Sequence, residues 1–543
     1  MSPKNGYSSS GVTPRLAPAD DAALRDAIRR GATRRQLLAW CGGLGLGAAA
    51  ATPLIGSARA AVAETPQRGG KLRVAGATAS TTETLDPARG TDSTDYSRHY
   101  MFYNGLTTLN EALAPQPTLA TSFETNDATT WVVKLRSGVQ FHDGSPLTAA
   151  DVVYSLARHK DPATGSKVRA VAMQMADIKA TGKNEVTITL SGPNSDLPVI
   201  LGVSHFLIIK NGTKDFSTAN GTGPFRCKSF EPGIRSIAVR NENYWKPGQP
   251  YLDEIEMVGI PDSAARVNAA LSGDIQLAAA MPVAAARQLE RAPGLKIMET
   301  KGGTYTNICM RLDQAPTDNL DLVLACKYLF DREQIRRTIF RNYAVIGNDQ
   351  PIDPTNRYFA ADLPQRPYDP EKAKFHLAKS GFGSSLSVTV SPAAFASEDI
   401  AQLWQQSAKA AGLDLTLRRV PADGYWTNQW MKHPVTFAAT NARPTADLIL
   451  SIYFKSDAPW NESGWKSPKF DQLLVAARGE QDHAKRKQMY ADMQEMISNE
   501  AGVGIPVFRS VLDAHSDKLK GLRPVPLGNL MGYTFPDNVW LTA

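Results

Sequence analysis

The stretch that decides the fold is residues 130–155, which read TWVVKLRSGVQFHDGSPLTAADVVYS. Its start, residues 130–136, is rich in β-branched and aromatic side chains, which favours a strand. Residues 147–158 predict a helix with Thr148 at the N-cap position, since valines and a leucine fall on one face. The stretch therefore predicts a strand, a glycine-containing turn and a helix, an alternation typical of a mixed α/β fold.

The same mixture continues on both sides of this stretch. Residues 71–75 predict a short strand, and residues 185–190 alternate with a period of two, as a half-buried strand does. Residues 385–390 and 413–417 alternate likewise, and a helical segment at 400–411 lies between them. This order predicts an α/β unit in the second half of the chain.

Length and composition indicate a soluble protein with more than one lobe. A single hydrophobic core seldom grows beyond roughly 250–300 residues, and the chain has 543 residues. Apolar residues make up 42% and charged residues 21%, as in ordinary globular proteins. Two or more lobes are therefore expected.

The N-terminus, residues 1–63, carries the pattern of an export signal. The arginine pair at 34–35 precedes a weakly apolar, Gly/Ala-rich stretch at 37–55, which is typical of a twin-arginine signal peptide. Small residues then offer cleavage after Ala60 or Ala63. An ordinary secretory signal, or an anchor that stays attached, is the alternative interpretation.

Removal of this leader changes the charge balance. The leader holds eight Lys and Arg and three Asp and Glu, which leaves 52 and 50 in the rest, a net charge of +2 compared with +7 for the whole chain. Nothing in the rest of the chain therefore indicates nucleic-acid binding. Eight histidines are scattered without metal-ligand spacing, so no metal site is predicted.

Three cysteines follow the leader, namely Cys227, Cys309 and Cys326. An exported protein could pair Cys309 with Cys326, but two buried free thiols are an equal alternative.

No catalytic motif is present in the sequence. The nucleophile elbow Gly-x-Ser-x-Gly, the zinc motif His-Glu-x-x-His and the Cys-x-x-Cys pair are all missing, and so is a phosphate-binding glycine loop after a strand. The sequence therefore predicts a binding protein without a cofactor rather than an enzyme.

Four runs together resemble a known family. Residues 130–155 resemble the signature of the family 5 extracellular solute-binding proteins, the oligopeptide, dipeptide and nickel receptors of ABC importers. Residues 221–225 (GTGPF) and 240–245 (RNENYW) match its central turn and the strand that follows. Residues 368–374 (YDPEKAK), with 380–382 (SGF), match a later helix. The order of the four runs is the family's order, from about residue 69 to the C-terminus.

The resemblance implies a periplasmic binding protein-like α/β fold, with two lobes that close on a ligand and an extra inserted domain. A discontinuous domain I is expected at 69–103, 220–303 and 518–543, domain II at 104–219 and domain III at 304–517. It also implies a monomer in the periplasm, with the membrane permease of an ABC importer as its partner. The arginine pair at 34–35 makes twin-arginine export the expected route.

The sequence departs from peptide-binding members in residues 438–445, which read AATNARPT. Those members place an aspartate in this loop to pair with the α-ammonium group of the peptide. Here Thr440 or Asn441 occupies that neighbourhood, and Arg443 offers a positive charge instead. The departure favours a ligand with a carboxylate or phosphate near Arg443 over an ordinary free-amine dipeptide.

Four further residues are candidates for ligand contact. Trp426 resembles a pocket tryptophan of peptide-binding relatives, with core packing as the alternative. Tyr96 precedes the inserted domain, and Trp460 lies in a polar run that could line the cleft. Asp447 could serve as a displaced anchor for an amine.

The function that these features favour is that of a solute receptor for an ABC importer. A secreted hydrolase, or a receptor that signals rather than transports, is the alternative. The ligand is expected to be a short peptide, an opine, a glutathione-like conjugate or a metal chelate.

Overall fold

The computed structural model describes residues 16–29, 32–44, 51–55, 58 and 65–542. Its helices of eight residues or more span the following segments: Pro18–Arg29, Arg34–Gly43, Ser93–Phe102, Ala149–Ala157, Ser263–Leu271, Leu320–Tyr328, Pro370–Ser380, Ser397–Ala408, Ala446–Tyr453, Pro468–Gly479 and His483–Glu500. Within this part of the chain, no helix is both long and apolar enough to span a membrane.

A seven-stranded mixed sheet gathers strands from distant parts of the chain. From one edge to the other its strands are Leu295–Thr300, Val511–Ser516, Leu277–Ala278, Lys71–Gly76, Glu254–Gly259, Arg235–Arg240 and Phe225–Glu231. Lys71–Gly76 lies in the centre and runs parallel to Glu254–Gly259, with Leu72 opposite Ile255. Both of these side chains are fully buried, so the sheet forms one side of a hydrophobic core.

The opening stretch of the sequence builds an antiparallel four-stranded sheet. Its strands in spatial order are Ala120–Glu124, Thr130–Leu135, Glu185–Leu190 and Met175–Gly182. The helix Ala149–Ala157 begins at Thr148, whose side chain forms a capping box with Asp151. Val152 and Leu156 of this helix share a buried core with Trp131. The strand, the helix and its cap are confirmed as predicted.

A third sheet and a parallel strand pair lie in the second half of the chain. The third sheet has the path Ala344–Ile346, Val507–Arg509, Tyr305–Met310 and Val435–Thr440, with Val503–Gly504 paired to its third strand. Leu386–Val390 pairs in parallel with Leu415–Arg419, and the helix Ser397–Ala408 connects them. The predicted strand–helix–strand unit is therefore confirmed.

The short pairs Thr107–Leu109 with Pro115–Pro117 and Leu519–Lys520 with Trp540–Leu541 complete the sheets of the described residues.

One strand lies on the other side of a predicted domain boundary. Val511–Ser516 was expected in the segment 304–517, yet it pairs with Leu295–Thr300 in the seven-stranded sheet. Its register, with Ile297 opposite Ala514, buries Ala514 in the core beside that sheet. The chain therefore passes between the seven-stranded and five-stranded sheets at residues 301–304 and again at Ser510.

The predicted N-terminal leader is described in part. The helix Arg34–Gly43 begins at Thr33, whose hydroxyl accepts a hydrogen bond from the backbone N–H of Gln36. The two predicted cleavage positions, Ala60 and Ala63, lie outside the described residues.

The cysteines resolve into free thiols. Cys309 lies in the strand Tyr305–Met310 and Cys326 in the helix Leu320–Tyr328, and both are buried and unpaired. Burial raises the pKa of both thiols, which keeps them protonated and inert.

Candidate ligand-binding site

The loop that the sequence singled out lies where the chain passes between two sheets. The strand Val435–Thr440 pairs with the strand Tyr305–Met310, with Thr440 opposite Tyr305. Beyond the strand, the backbone N–H of Ala442 points to the Thr304 hydroxyl at 3.4 Å. The loop is therefore held next to the crossing segment 301–304, at the end of the five-stranded sheet.

Arg443 is a half-buried cation without an anionic partner. Its guanidinium donates to the Tyr453 hydroxyl through Nη2 and to the Asn441 carbonyl through Nη1, both at a long 3.4 Å. No Asp or Glu of the described chain forms an ion pair with it. Since arginine binds carboxylates through two parallel hydrogen bonds, this group can accept an acidic ligand.

Tyr96 lies near enough to Arg443 to be influenced by its positive charge. It lies on the helix Ser93–Phe102 and packs edge-on against His205 and Tyr533, with ring centroids 5.2 and 5.3 Å away. Burial raises the pKa of Tyr96 to about 12, and the positive charge of Arg443 opposes that rise. The structure thus brings together Tyr96 and Arg443, which are 347 positions apart in the sequence.

Thr440 and Asn441 differ in exposure. Thr440 is buried, and its hydroxyl lies beside the phenols of Tyr305 and Tyr453 without a well-aligned hydrogen bond to either. Asn441 is exposed. Thr440 therefore faces the interior, where its hydroxyl lies beside the two phenols, and Asn441 faces solvent.

Three indole rings and one phenol form a row next to Arg443. Trp430 lies between Trp426 and Trp460, with centroids 5.6 and 6.2 Å away and ring planes inclined by 83° and 66°. Tyr453 follows Trp460 at 5.7 Å. The outer rings Trp426 and Trp460 are 43% and 42% exposed, so this row offers accessible ring surface to a ligand.

Behind this row lies Glu462, a buried acid that the sequence analysis did not single out. Its carboxylate accepts hydrogen bonds from Asn307 Nδ2 at 2.6 Å and from Trp430 Nε1 at 3.2 Å. Burial raises the pKa of Glu462 to about 7. The only signal in the sequence was its position two residues after Trp460.

Asp447 is already paired. Its two carboxylate oxygens accept hydrogen bonds from Arg478 Nε at 2.9 and 3.1 Å, and the group is buried. Because the guanidinium of Arg478 already neutralises this carboxylate, Asp447 is poorly suited to bind the amine of a ligand. Of the seven predicted residues, Asp447 is the one whose interactions point away from the loop.

Among the described residues, no group of three or more His, Cys, Asp or Glu side chains is placed to hold a metal ion. The polar groups around the Arg443 guanidinium include the phenol of Tyr453, which accepts a hydrogen bond from it, and the hydroxyl of Thr440.

Comparison with known proteins agrees with this architecture. A family model described as bacterial extracellular solute-binding proteins, family 5 Middle, matches residues 114–462. The glutathione-binding protein GsiB of Escherichia coli O6:K15:H31 (strain 536 / UPEC) is 27% identical over 474 residues, which cover 84% of this chain and 92% of that protein.

Two solved structures share the fold. One is the periplasmic binding protein DppA from Helicobacter pylori, in complex with the peptide STSA. It superposes with a TM-score of 0.72 at 24% sequence identity, and the superposition covers 88% of this chain and 99% of the DppA chain. The substrate-binding protein CtaP from Listeria monocytogenes gives 0.77 at 22% identity, covering 88% and 100%. The predicted periplasmic binding protein-like α/β fold is confirmed.

Proposed function

Because the chain belongs to the bacterial extracellular solute-binding proteins of family 5, we propose that it captures a peptide-like solute with an acidic group and delivers it to an ABC permease. The family is one of binding proteins, and the receptor role follows from membership.

One observation supports this choice of solute. Arg443 is half-buried at the junction between the two sheets and has no carboxylate partner among the described residues. A buried or half-buried cation without an anion is unfavourable, and a ligand carboxylate would relieve that cost. The missing loop aspartate points the same way, because Thr440 and Asn441 offer no negative charge.

A relative supports the same class of solute. The relative GsiB is named a glutathione-binding protein, and glutathione is a tripeptide with two carboxylates. This chain is 27% identical to GsiB, so the name suggests a chemical class, a peptide-like acid, rather than one compound.

Closure of the two lobes would complete the site. A ligand bound beside Arg443 would also lie near Tyr96, which is within electrostatic range of that guanidinium. A solute that binds the closed form better than the open form shifts the equilibrium toward closure. Trp426 and Trp460 would then pack against the apolar part of the solute. The permease would bind the closed form of the protein.

Export and cellular location remain part of the proposal. Family 5 receptors work outside the cytoplasm, and in bacteria with two membranes they are periplasmic. The arginine pair at 34–35 supports export by the twin-arginine route. We propose that the receptor works as a monomer.

Native mass spectrometry of the purified protein tests the proposed solute. A solute that is retained in the native state and released by denaturation should contain a carboxylate or phosphate. A retained solute with a free amine and no acid would contradict the role of Arg443. If the protein is purified without a solute, a thermal-shift screen of peptides, opines and chelates decides, with acidic members expected to stabilise the protein.

A further inference from the structure

A second ionisable group, the carboxyl group of Asp353, lies beside the loop that carries Arg443. Asp353 is buried, at 6% exposure, in a turn after the strand Ala344–Ile346. Its Oδ1 accepts hydrogen bonds from the Thr355 backbone N–H at 2.9 Å and from the Thr355 hydroxyl at 2.5 Å. No described residue donates a hydrogen bond to Oδ2, and no Lys, Arg or His forms an ion pair with it.

The free oxygen points to the crossing between the lobes. A Cβ atom added to Gly303 would lie 2.9 Å from Asp353 Oδ2 and 3.8 Å from Ala442 Cα. Glycine at 303 therefore allows the carboxylate a close approach that any larger side chain would block. Since Arg443 follows Ala442 directly, the unpaired acid lies beside the loop that carries the unpaired guanidinium.

Two other buried acids of residues 304–517 are neutralised by cations, and a third, Glu462, has neutral hydrogen-bond donors on both of its oxygens. Asp349 forms ion pairs with Arg332 and Arg366. Asp447 pairs with Arg478. Asp353 differs from Asp349 and Asp447 because its carboxylate forms no ion pair with a cation of the described residues.

A purely structural role explains only one oxygen of the Asp353 carboxylate, Oδ1, which accepts the two hydrogen bonds from Thr355. Stabilising the turn needs one acceptor oxygen, which asparagine or serine would supply equally well. The second oxygen and the negative charge are surplus to the turn. Burial raises the pKa of this carboxyl group, so without a cationic partner the charged form is costly, and a ligand ammonium group would stabilise it.

We propose that Asp353 binds an ammonium group of the solute and that Asp353 and Arg443 together recognise an amino-acid head group, with ammonium and carboxylate on one carbon. This inference rests on the proposed receptor function and narrows its substrate class. A head group of this kind occurs on γ-linked peptides, whose first residue keeps both charges. An α-linked peptide has an amide in place of that carboxylate.

Two isomeric tripeptides test the proposal on the unmodified protein. γ-Glu-Ala-Gly and α-Glu-Ala-Gly contain the same atoms and carry the same net charge, but only the first presents the head group. Titration calorimetry should show that the γ-linked isomer binds about tenfold more tightly or better, the scale of one charged hydrogen bond. Equal binding, tighter binding of the α-linked isomer, or no binding of the γ-linked isomer would overturn the proposal.

The variant Asp353→Asn tests the residue itself. Its amide oxygen can still accept from Thr355, so the turn is kept while the charge is removed. Affinity for γ-Glu-Ala-Gly should fall about tenfold or more. Asp362→Asn, an exposed acid in the same lobe, is the matched control and should bind as the unmodified protein does. Unchanged affinity in Asp353→Asn would refute the assignment.

The two proposals fail differently. If another acidic solute stabilises the protein while γ-Glu-Ala-Gly does not bind, only the head-group inference fails. If no peptide, opine or chelate binds, the proposed receptor for a peptide-like acid fails as well.

Discussion

At the scale of single residues, Glu462 has an unusual environment for an acid. It is buried behind the indole row, and the neighbours that contact it, Asn307 and Trp430, are neutral. Burial holds its pKa at about 7, above the ordinary value of 4.5. Between these two values the folded protein binds a proton that the unfolded chain has released, so stability falls as pH rises.

The variant Glu462→Gln should remove this dependence. Gln keeps an oxygen acceptor but cannot ionise, so relative to the unmodified protein it should gain stability between pH 5 and pH 8. The raised pKa corresponds to a gain on the order of 3 kcal/mol in the free energy of unfolding. Denaturant unfolding at several pH values measures the difference.

Titration of the neighbouring groups does not contribute to this pH dependence. Tyr305, Cys309 and Tyr425 lie near Glu462, and burial raises the pKa of each of them, so all three stay neutral over this range. A stability difference between Glu462→Gln and the unmodified protein that is the same at pH 5 and pH 8 would contradict the account.

The sequence singled out a residue as a candidate only where a local pattern was informative. Arg443 stood out because an expected acid is missing beside it. Asp447 could not be assigned, because its partner Arg478 is 31 positions away and only the fold shows the pair. Asp353 gave no signal, since an Asp-Pro turn predicts a turn residue and not an unpaired charge.

At the scale of elements, the indole row is the main source of apolar contact for a solute. Replacing Trp460 by leucine keeps apolar bulk but removes the ring that joins Tyr453 to Trp430. We expect solute binding to weaken by about 1 kcal/mol, the scale of aromatic contacts beyond their area. Titration calorimetry measures this loss.

A surface aromatic provides the control for this prediction. Phe375 is 64% exposed on the helix Pro370–Ser380, and Phe375→Leu should leave affinity unchanged. If Trp460→Leu also binds with unchanged affinity, the indole row is a packing feature and not part of the binding surface.

Elements with strong periodicity were predicted well. The strand Glu185–Leu190 was predicted with its observed bounds, since its alternation reflects a half-buried face. The turn at residues 530–533 could not be predicted, because Leu530, Met531 and Tyr533 adopt positive φ, a conformation that their side chains disfavour. Asp513, which accepts a hydrogen bond from the Leu530 N–H, supports this turn from a distant strand.

At the scale of the whole molecule, a buried ion pair connects the segment after the strand Glu185–Leu190 to the second half of the chain. Asp196 receives two hydrogen bonds from Arg486, at 2.9 and 2.8 Å, and both side chains are almost fully buried. Arg357 adds a third contact at 3.2 Å. Removal of the acid would leave a buried guanidinium without its partner.

The variant Asp196→Asn should therefore destabilise the protein strongly. We expect the free energy of unfolding to fall by about 3 kcal/mol, as for buried pairs that lose one member. The control is Asp177→Asn, which removes the partner of Lys179 from an exposed pair and should cost less than about 1 kcal/mol. Equal effects of the two variants in denaturant unfolding would argue that the buried pair is not a connection between lobes.

The three-domain division stays a prediction, and the strand Val511–Ser516 pairs across its last boundary. Local patterns could not place the strand Val511–Ser516, because its pairing with Leu295–Thr300 is a contact between residues about 200 positions apart. Only the complete fold decides which sheet such a strand joins.

The most direct test of the central claim is calorimetric titration of the protein and of Arg443→Ala with solutes offered as free acids and as amides. The account predicts that the unmodified protein binds a free acid more tightly than its amide by about 1–3 kcal/mol, the scale of a charged hydrogen bond. It also predicts that Arg443→Ala loses this preference. Equal affinity for both forms, or an undiminished preference in a correctly folded Arg443→Ala protein, would contradict it.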